Sequence, residues 1–138
     1  HLSTMNRTHL EGAAEALAAQ QGYAFHTGPE DGMAHTMRSY PAAWLAPLEL
    51  HAVEGRGHGR ATYNMTLHLL SSGARLSPAE RRTALARMEE QLLEIFAALS
   101  LDERVLAVEG LSVRPRAFAL TPHGEISQTA AARIVTFF

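Results

Sequence analysis

The sequence predicts an α+β fold, with a four- to five-stranded, mainly antiparallel sheet and two helices packed on one face of it. Two observations lead to this prediction. Apolar residues recur at helical spacing in two segments, and elsewhere they alternate with polar residues, as in strands with one buried and one solvated face. The predicted order is helix, an optional short strand, two strands, helix, two strands. Runs of strands between helices are typical of the α+β class.

Composition indicates an ordinary globular protein. Hydrophobic residues make up 46% and charged residues 19% of the 138 residues, and the formal net charge is -2. Residues 1–138 are therefore interpreted as a single domain. Residues 1–5 are expected to be disordered or vector-derived, with Met5 as the natural start. The absence of a basic run argues against sequence-specific binding of nucleic acid.

Two absences narrow the function classes. The chain has no cysteine, which excludes disulfides and thiolate zinc sites and fits a reducing compartment. No apolar run approaches the roughly 20 residues needed to cross a bilayer, and the N-terminal stretch lacks a signal-peptide pattern. We therefore expect a soluble, cytoplasmic protein without a membrane partner.

Capping patterns mark both predicted helices. Thr8 with Glu11, and Ser77 with Glu80, have the capping-box spacing in which two side chains satisfy free backbone N–H groups. Pro78 occupies the first helical position of the second helix, where its missing N–H costs nothing. This helix carries one apolar stripe, formed by Leu85, Met88, Leu92, Ile95, Phe96 and Leu99.

The remaining segments have loop or strand character. Residues 28–41 are predicted to form a long loop. The segment "YPAAWLAPLELHAV" is predicted to be extended, because its two prolines exclude a helix interior and favour an edge strand or the start of a strand. "EGRGHGR" is a turn into the strand "ATYNMTLHLL", in which apolar and polar residues alternate. A loop over 114–125 precedes the closing strand. Its apolar end predicts that Phe137 and Phe138 are buried in the core or against a partner.

The histidines near the hairpin raise the question of a metal site. Glu49 and His51 are two residues apart on a strand and so share a face, and the third ligand would be His58 or His68. A turn centred near Gly57 places His51 opposite residues 62 and 63, too far along the ladder for His68 to complete the site. We therefore predict solvated histidines, with neither a metal nor a cofactor.

Other catalytic patterns are missing. "GRGHG" leads into a strand, whereas a phosphate-binding loop opens a helix whose N-terminus holds the anion. There is no GxSxG motif, and we expect that none of the eight histidines is paired with an orienting acid. Glu30, Asp31, Asp102 and Glu103 lie in polar, turn-like clusters that are typical of solvated surface. The sequence thus predicts no catalytic residues and a protein that is not an enzyme.

Several local patterns resemble one known family. Four segments, in their order along the chain, resemble segments of the tail terminator and head–tail joining proteins of long-tailed bacteriophages and prophages. They are "YPAAWLAPLEL", "ATYNMTLHLL", "SPAERRTALARMEEQLLEIFAAL" and "ISQTAAARIVTFF". The resemblance extends from about Thr8 to Phe138 and rests on the order of the predicted elements and on these four segments. It includes no catalytic motif.

The resemblance implies a structural protein of the virion. Such proteins form a hexameric ring that caps the tail tube and contact both the tail-tube protein and the head connector; they assemble in the host cytoplasm and need no cofactor. By this analogy the chain is a homo-oligomer located in the tail or neck. The candidate assembly contacts are Arg56, His58 and Arg60 in the hairpin, with Arg114, Arg116, Phe137 and Phe138.

Two alternatives stay open. One is a different neck or tail component with the same fold. The other, from a different class, is a small α+β enzyme or ligand-binding protein that uses the histidines of the 48–68 hairpin.

Overall fold

A computed structural model describes residues 6–37, 39–116, 119–121 and 123–137, and these residues have an α+β fold with one mixed sheet. The predicted fold class is therefore confirmed, while residues 1–5 and Phe138 lie outside the described part of the chain. The elements follow in the order α1 (Asn6–Gln20), β1 (Ala24–Thr27), a 3₁₀ turn (Glu30–Gly32), α2 (Met33–Thr36), β2 (Ala42–Leu45), β3 (Glu49–Arg56), β4 (His58–Ser71), α3 (Pro78–Leu99), β5 (Val105–Pro115) and β6 (Ile126–Phe137).

The sheet has six strands, in place of the predicted four to five. Its order is β1-β2-β4-β6-β5, and β3 also pairs with β4. What the sequence suggests is one strand is two strands, separated at Pro47: β2 pairs with residues 67–70 of β4, and β3 with residues 58–64. Pro47 lies in the gap, where its missing N–H removes no ladder bond. The pairing of β1 with β2 is parallel and the other pairings are antiparallel.

One face of the sheet, the helix face, is covered by α1 and α3. The predicted apolar stripe of α3 is confirmed: Met88, Leu92, Ile95, Phe96 and Leu99 are all buried there, and Leu85 is partly buried. From the sheet, the odd-numbered residues of β4 face this core. Besides the residues of α3, the main contributors to this core come from α1, β4 and β6: Leu10, Ala14, Ala18, Met65, Leu67, Leu69, Ala130 and Ile134.

The opposite face, the open face, is covered at one end only. There a second apolar cluster joins Met33 and Met37 to Ala42, Trp44 and Leu70. The predicted long loop over 28–41 is therefore wrong, because this segment forms the 3₁₀ turn and α2. Met33 and Met37 are four residues apart, so one helical turn directs both side chains onto the sheet.

The two capping boxes have different outcomes. At α3 the prediction is confirmed: the backbone N–H of Glu80 donates to Ser77 Oγ at 3.1 Å, and the backbone N–H of Ser77 donates to Glu80 Oε1 at 2.9 Å. At α1 it is wrong, since the helix already includes Asn6 and both Thr8 and Glu11 lie inside it.

The predicted turn between β3 and β4 is confirmed, with Gly57 between the two strands. Gly55 and Gly57 have φ of 96° and 69°, conformations that residues with a Cβ rarely adopt. A Cβ on Gly55 would also lie 2.7 Å from the Cα of Gly59. The expected position of His51 is confirmed as well: it lies at a register shift opposite Tyr63 and Thr62.

Candidate functional site

Exposed apolar side chains gather at one end of the sheet, which we call the apolar end. The register aligns Val53, Ala61, Thr136 and Val105 in one cross-strand row near this end. Beside this row, large apolar side chains are 45–55% exposed: Leu50, Val53, Leu106 and Phe137. By register, Leu50 and Val53 lie on the helix-face side of β3. Phe137 lies on the open face opposite Arg60, and Leu106 borders a depression on that face. The apolar end therefore exposes apolar side chains on both faces of the sheet, and several such residues near one another are typical of contact surfaces.

The open face has a depression beside the apolar end. Its volume is about 430 Å³, and its walls mix charged and apolar side chains: Glu54, Arg60, Thr62, Leu106, Ala107, Glu109 and Val135. Three of its seven lining residues are charged, so this depression is a mainly polar border of the apolar end, as the rims of interfaces between proteins are.

The hairpin places three predicted contact residues close to this surface. Arg56, His58 and Arg60 are all exposed, and Arg60 pairs with Phe137 of β6. Phe137 is itself 45% exposed, so the expectation that it is buried in the core is wrong and only a contact with a partner remains open for it. Phe138 lies outside the described residues.

Buried polar contacts fix the backbone at the apolar end. Thr136, which is fully buried, donates its hydroxyl to the carbonyl oxygen of Ala61 at 2.7 Å. The amide of Asn6 donates to Thr136 Oγ1 at 3.3 Å and to the carbonyl of Phe137 at 3.2 Å. Because a buried polar group is costly when unpaired, these bonds hold α1, β4 and β6 in one arrangement.

At the other end of β5, the remaining two predicted contact residues line a separate cavity, the arginine cavity. Arg114 and Arg116 are exposed at its rim, and its volume is about 450 Å³. It lies on the open face between β5, β6 and residues 119–120. The lining residues are Ser112, Arg114, Pro115, Arg116, Ala119, Leu120, Thr129 and Ala131. The structure thus separates Arg114 and Arg116 from the hairpin residues of the apolar end.

His68 lies behind this cavity and is fully buried, so its predicted position on a solvated face is wrong. Its Nδ1 is 2.7 Å from Thr129 Oγ1, and its Nε2 is 2.5 Å from Glu30 Oε2. Glu30 belongs to the 3₁₀ turn, and Thr129 is the register partner of His68 on β6. We refer to these three residues as the His68 cluster. Its acid comes from a segment far away in sequence, which is why sequence reasoning missed it.

Burial lowers the pKa of His68 from its ordinary value of 6.5. The negative charge and hydrogen bond of Glu30 act in the opposite direction, and Arg116 adds to the lowering. The short contact with Glu30 has the geometry of an ion pair, but the half-exposed carboxylate is partly solvated, and burial of the imidazole outweighs it. The ring is therefore neutral at pH 7.

The neutral state of His68 determines which atoms of the His68 cluster carry protons. A carboxylate only accepts hydrogen bonds, so the Nε2 of His68 carries the proton that is donated to Glu30. Nδ1 is then the unprotonated nitrogen and accepts the hydroxyl proton of Thr129. The lone pairs of Thr129 Oγ1 are left for other groups, and Thr129 also lines the arginine cavity.

A second histidine is also paired with an acid. His9 Nε2 of α1 lies 2.8 Å from Oδ1 and 2.9 Å from Oδ2 of Asp102, in the turn that follows α3. Asp102 Oδ1 accepts the backbone N–H of Arg104 at 2.9 Å as well. The prediction that no histidine has an orienting acid is therefore wrong for His9 and His68. The His9–Asp102 contact joins α1 to the α3–β5 turn.

Within the described ranges, no group of three or more histidine and acidic side chains has the arrangement of a metal site. In the same ranges, no helix combines the length and apolarity needed to cross a membrane. Neither protein-family models nor curated proteins gave a match to this sequence.

Proposed function

We propose that the protein is a structural component of a phage or prophage virion, resembling a tail terminator, whose copies form a ring that caps the tail tube and joins it to the head connector. The observation that carries the proposal is the apolar end. Large apolar side chains are about half exposed there on both faces of the sheet, Leu50 and Val53 on one and Leu106 and Phe137 on the other, around a backbone that buried hydrogen bonds hold in place. Such a surface lowers the free energy of the chain when another protein covers it.

The position of the apolar end suits contacts with more than one neighbour. β3 and β5 are the outer strands here, on opposite sides of the β4–β6 pair, so each can face a different protein. Two different faces in contact make a head-to-tail interface, which closes into a ring when the rotation between copies allows it. Arg56 and His58 at the hairpin tip extend beyond the last pair of β4 with β6, where they can reach the tube or an adjacent copy.

The proposal is tested by electron microscopy and mass photometry of the protein, alone and with tail-tube protein. We expect rings, either alone or at the ends of tubes. The Leu50→Glu, Val53→Glu double variant should form at least tenfold fewer rings at the same protein concentration. Leu93→Glu on α3 is the matched control, because Leu93 is similarly exposed but lies on a helix and not on a strand of the apolar end.

Thermal unfolding separates an assembly defect from misfolding. The double variant and the control should both unfold near the temperature of the unaltered protein, since all three positions are exposed. A protein that stays monomeric with and without tube, and leaves tube length unchanged, would rule out the proposed function. A different neck component of the same fold would bind connector protein but leave tube length unaffected.

A second candidate function, ligand binding, is favoured by the arginine cavity beside the His68 cluster. The cavity volume of about 450 Å³ lies within the range of about 300–1,000 Å³ that is typical of small-molecule sites. It combines two cationic side chains with apolar walls. The alternative of an enzyme or ligand-binding protein that uses a hairpin histidine is supported here by the contact between His68 and Thr129, which lines the cavity.

A further inference from the structure

We propose that the arginine cavity binds a small oxyanion whose charged phosphate or carboxylate oxygens are held by Arg114 and Arg116, while an O–H or N–H group of the same ligand donates a hydrogen bond to Thr129. This site is independent of the proposed ring contacts at the apolar end. The proposal rests on two unpaired cations, on the register that aligns them, and on the orientation of one hydroxyl group.

Among the residues that the structure describes, Arg114 and Arg116 have no side-chain partner. Across the described ranges, neither guanidinium group of Arg114 and Arg116 has an ion pair or a side-chain hydrogen bond, whereas the ion pairs found are His9–Asp102 and His68–Glu30. Two carboxylates are hydrogen-bonded to groups that adjoin the cavity. Glu30 accepts a hydrogen bond from His68, and buried Glu125 accepts hydrogen bonds from the backbone N–H groups of Leu120 and Thr121 at 2.8 and 2.9 Å.

The register of β4, β5 and β6 brings Arg114, Thr129 and His68 next to one another. Arg114 pairs with Thr129, and Thr129 with His68, so the three residues lie in one cross-strand row and face the same side of the sheet. Arg116 lies two residues beyond Arg114, and its backbone N–H donates to the carbonyl of Ser127 at 3.1 Å, which extends the β5–β6 pairing by a further step. Both guanidinium groups therefore border one cavity.

Guanidinium chemistry selects the ligand class. Its planar set of N–H donors matches the oxygens of phosphate and carboxylate groups in paired hydrogen bonds, and two such groups favour a charge of −1 to −2. Ser112 adds a hydroxyl that can donate. Thr129 differs from Ser112, because its proton is committed to His68, and it therefore favours a ligand that itself carries an O–H or N–H group. Hydrogenphosphate has such a group.

The exposure of the two arginines limits the affinity. Ion pairs in contact with water contribute little individually, so we expect inorganic phosphate to bind weakly and with strong dependence on salt. The cavity is larger than a phosphate ion, and its apolar lining by Leu120, Ala119 and Ala131 leaves room for an organic group attached to the anion. A larger organic anion is therefore expected to bind more tightly than phosphate.

The test is a titration followed by two-dimensional amide NMR, with sodium phosphate and, separately, disodium succinate replacing sodium chloride at constant ionic strength. We expect saturable shifts for amides of residues 112–116 and 129–131, and the anion with the greater shifts at equal concentration identifies the preferred group. The Arg114→Gln, Arg116→Gln double variant should bind at least tenfold more weakly. Arg82→Gln, an exposed arginine on α3, is the matched control and should bind as the unaltered protein does.

The same spectra distinguish the remaining outcomes. The Arg114→Lys, Arg116→Lys variant keeps the charges but loses the paired hydrogen bonds, and an intermediate affinity would support the guanidinium geometry. Non-saturating shifts for both anions in the unaltered protein would overturn the proposal. So would equal affinities in the unaltered protein and the glutamine variant, because a diffuse surface charge would then explain the binding. Loss of ring formation in either variant bears on the assembly contacts and leaves this test unchanged.

Discussion

Replacing His68 with alanine should destabilise the protein by about 2–4 kcal/mol at pH 7. The imidazole is fully buried and makes two hydrogen bonds, one with Thr129 and one with Glu30. A neutral buried hydrogen bond contributes about 1 kcal/mol, and we assign about the same to the Glu30 bond because its half-exposed carboxylate regains water on mutation. The rest is the lost packing of the ring, together with the hydroxyl of Thr129, which is left without its acceptor.

The destabilisation should also depend on pH, and the direction follows from the lowered pKa of His68. Below its ordinary pKa of 6.5 the unfolded chain gains a proton on His68 while the folded chain does not yet do so. The unfolded state therefore binds more protons, and the free energy of unfolding falls as pH decreases, by at most about 1.4 kcal/mol per pH unit. The loss is complete once pH is below the folded pKa.

Urea unfolding at pH 8, 7, 6 and 5 measures both effects. The difference in unfolding free energy between the unaltered protein and His68→Ala should be constant between pH 8 and 7 and become smaller toward pH 5. His35→Ala is the control, because His35 is exposed on α2 and its replacement should leave the pH dependence intact. A difference that grows as pH falls would show that the folded state holds His68 in its charged form, contrary to the proton positions derived for the cluster.

Three further changes test the fold. Ser77→Ala removes the acceptor of the capping box and should lower the free energy of unfolding by about 1 kcal/mol, measured in urea; no change would mean that solvent replaces the cap. Gly55→Ala should lower the melting temperature more than Gly57→Ala, because both glycines have positive φ but only Gly55 would also meet the backbone, and equal shifts would contradict that contact. Deleting residues 134–138 should abolish folding or assembly, since Ile134 is fully buried; a folded, ring-forming product would contradict the pairing of β6.

Short sequence patterns correctly predict those elements that are stabilised by contacts within a single segment of the chain. The α3 cap and stripe need only residues of α3 and the one before it, so spacing alone predicts them. The β3–β4 turn is similar, because glycines with positive φ mark it locally. These predictions succeed because the stabilising contacts lie within a few residues of one another in the sequence.

Contacts between distant segments explain most of the errors. Nothing near residue 24 or 42 in the sequence indicates that β1 lies parallel to β2, since a single helical turn and a 3₁₀ turn make the connection. The buried state of His68 depends on Glu30 and on Trp44, which covers its row from β2. One signal was available: Leu70 follows His68 on the same face of β4, and an apolar residue there indicates that the open face is covered at that end.

Because β4 lies at the centre of the sheet, the sheet is completed only when β6, the last element in the chain, pairs with β4. Both edges of β4 are occupied, by β3 and β2 on one side and by β6 on the other, and β6 follows all of the remaining elements in the chain. Pairing such as Ser71 with Ile126 closes a loop that contains α3 and β5, and long-range pairing of this kind slows folding. Until β6 arrives, one edge of β4 presents unpaired N–H and C=O groups beside apolar side chains, a surface that can recruit a strand from another unfinished chain. Fragments that end before residue 126 should therefore aggregate during synthesis, at a rate that rises with the concentration of nascent chains.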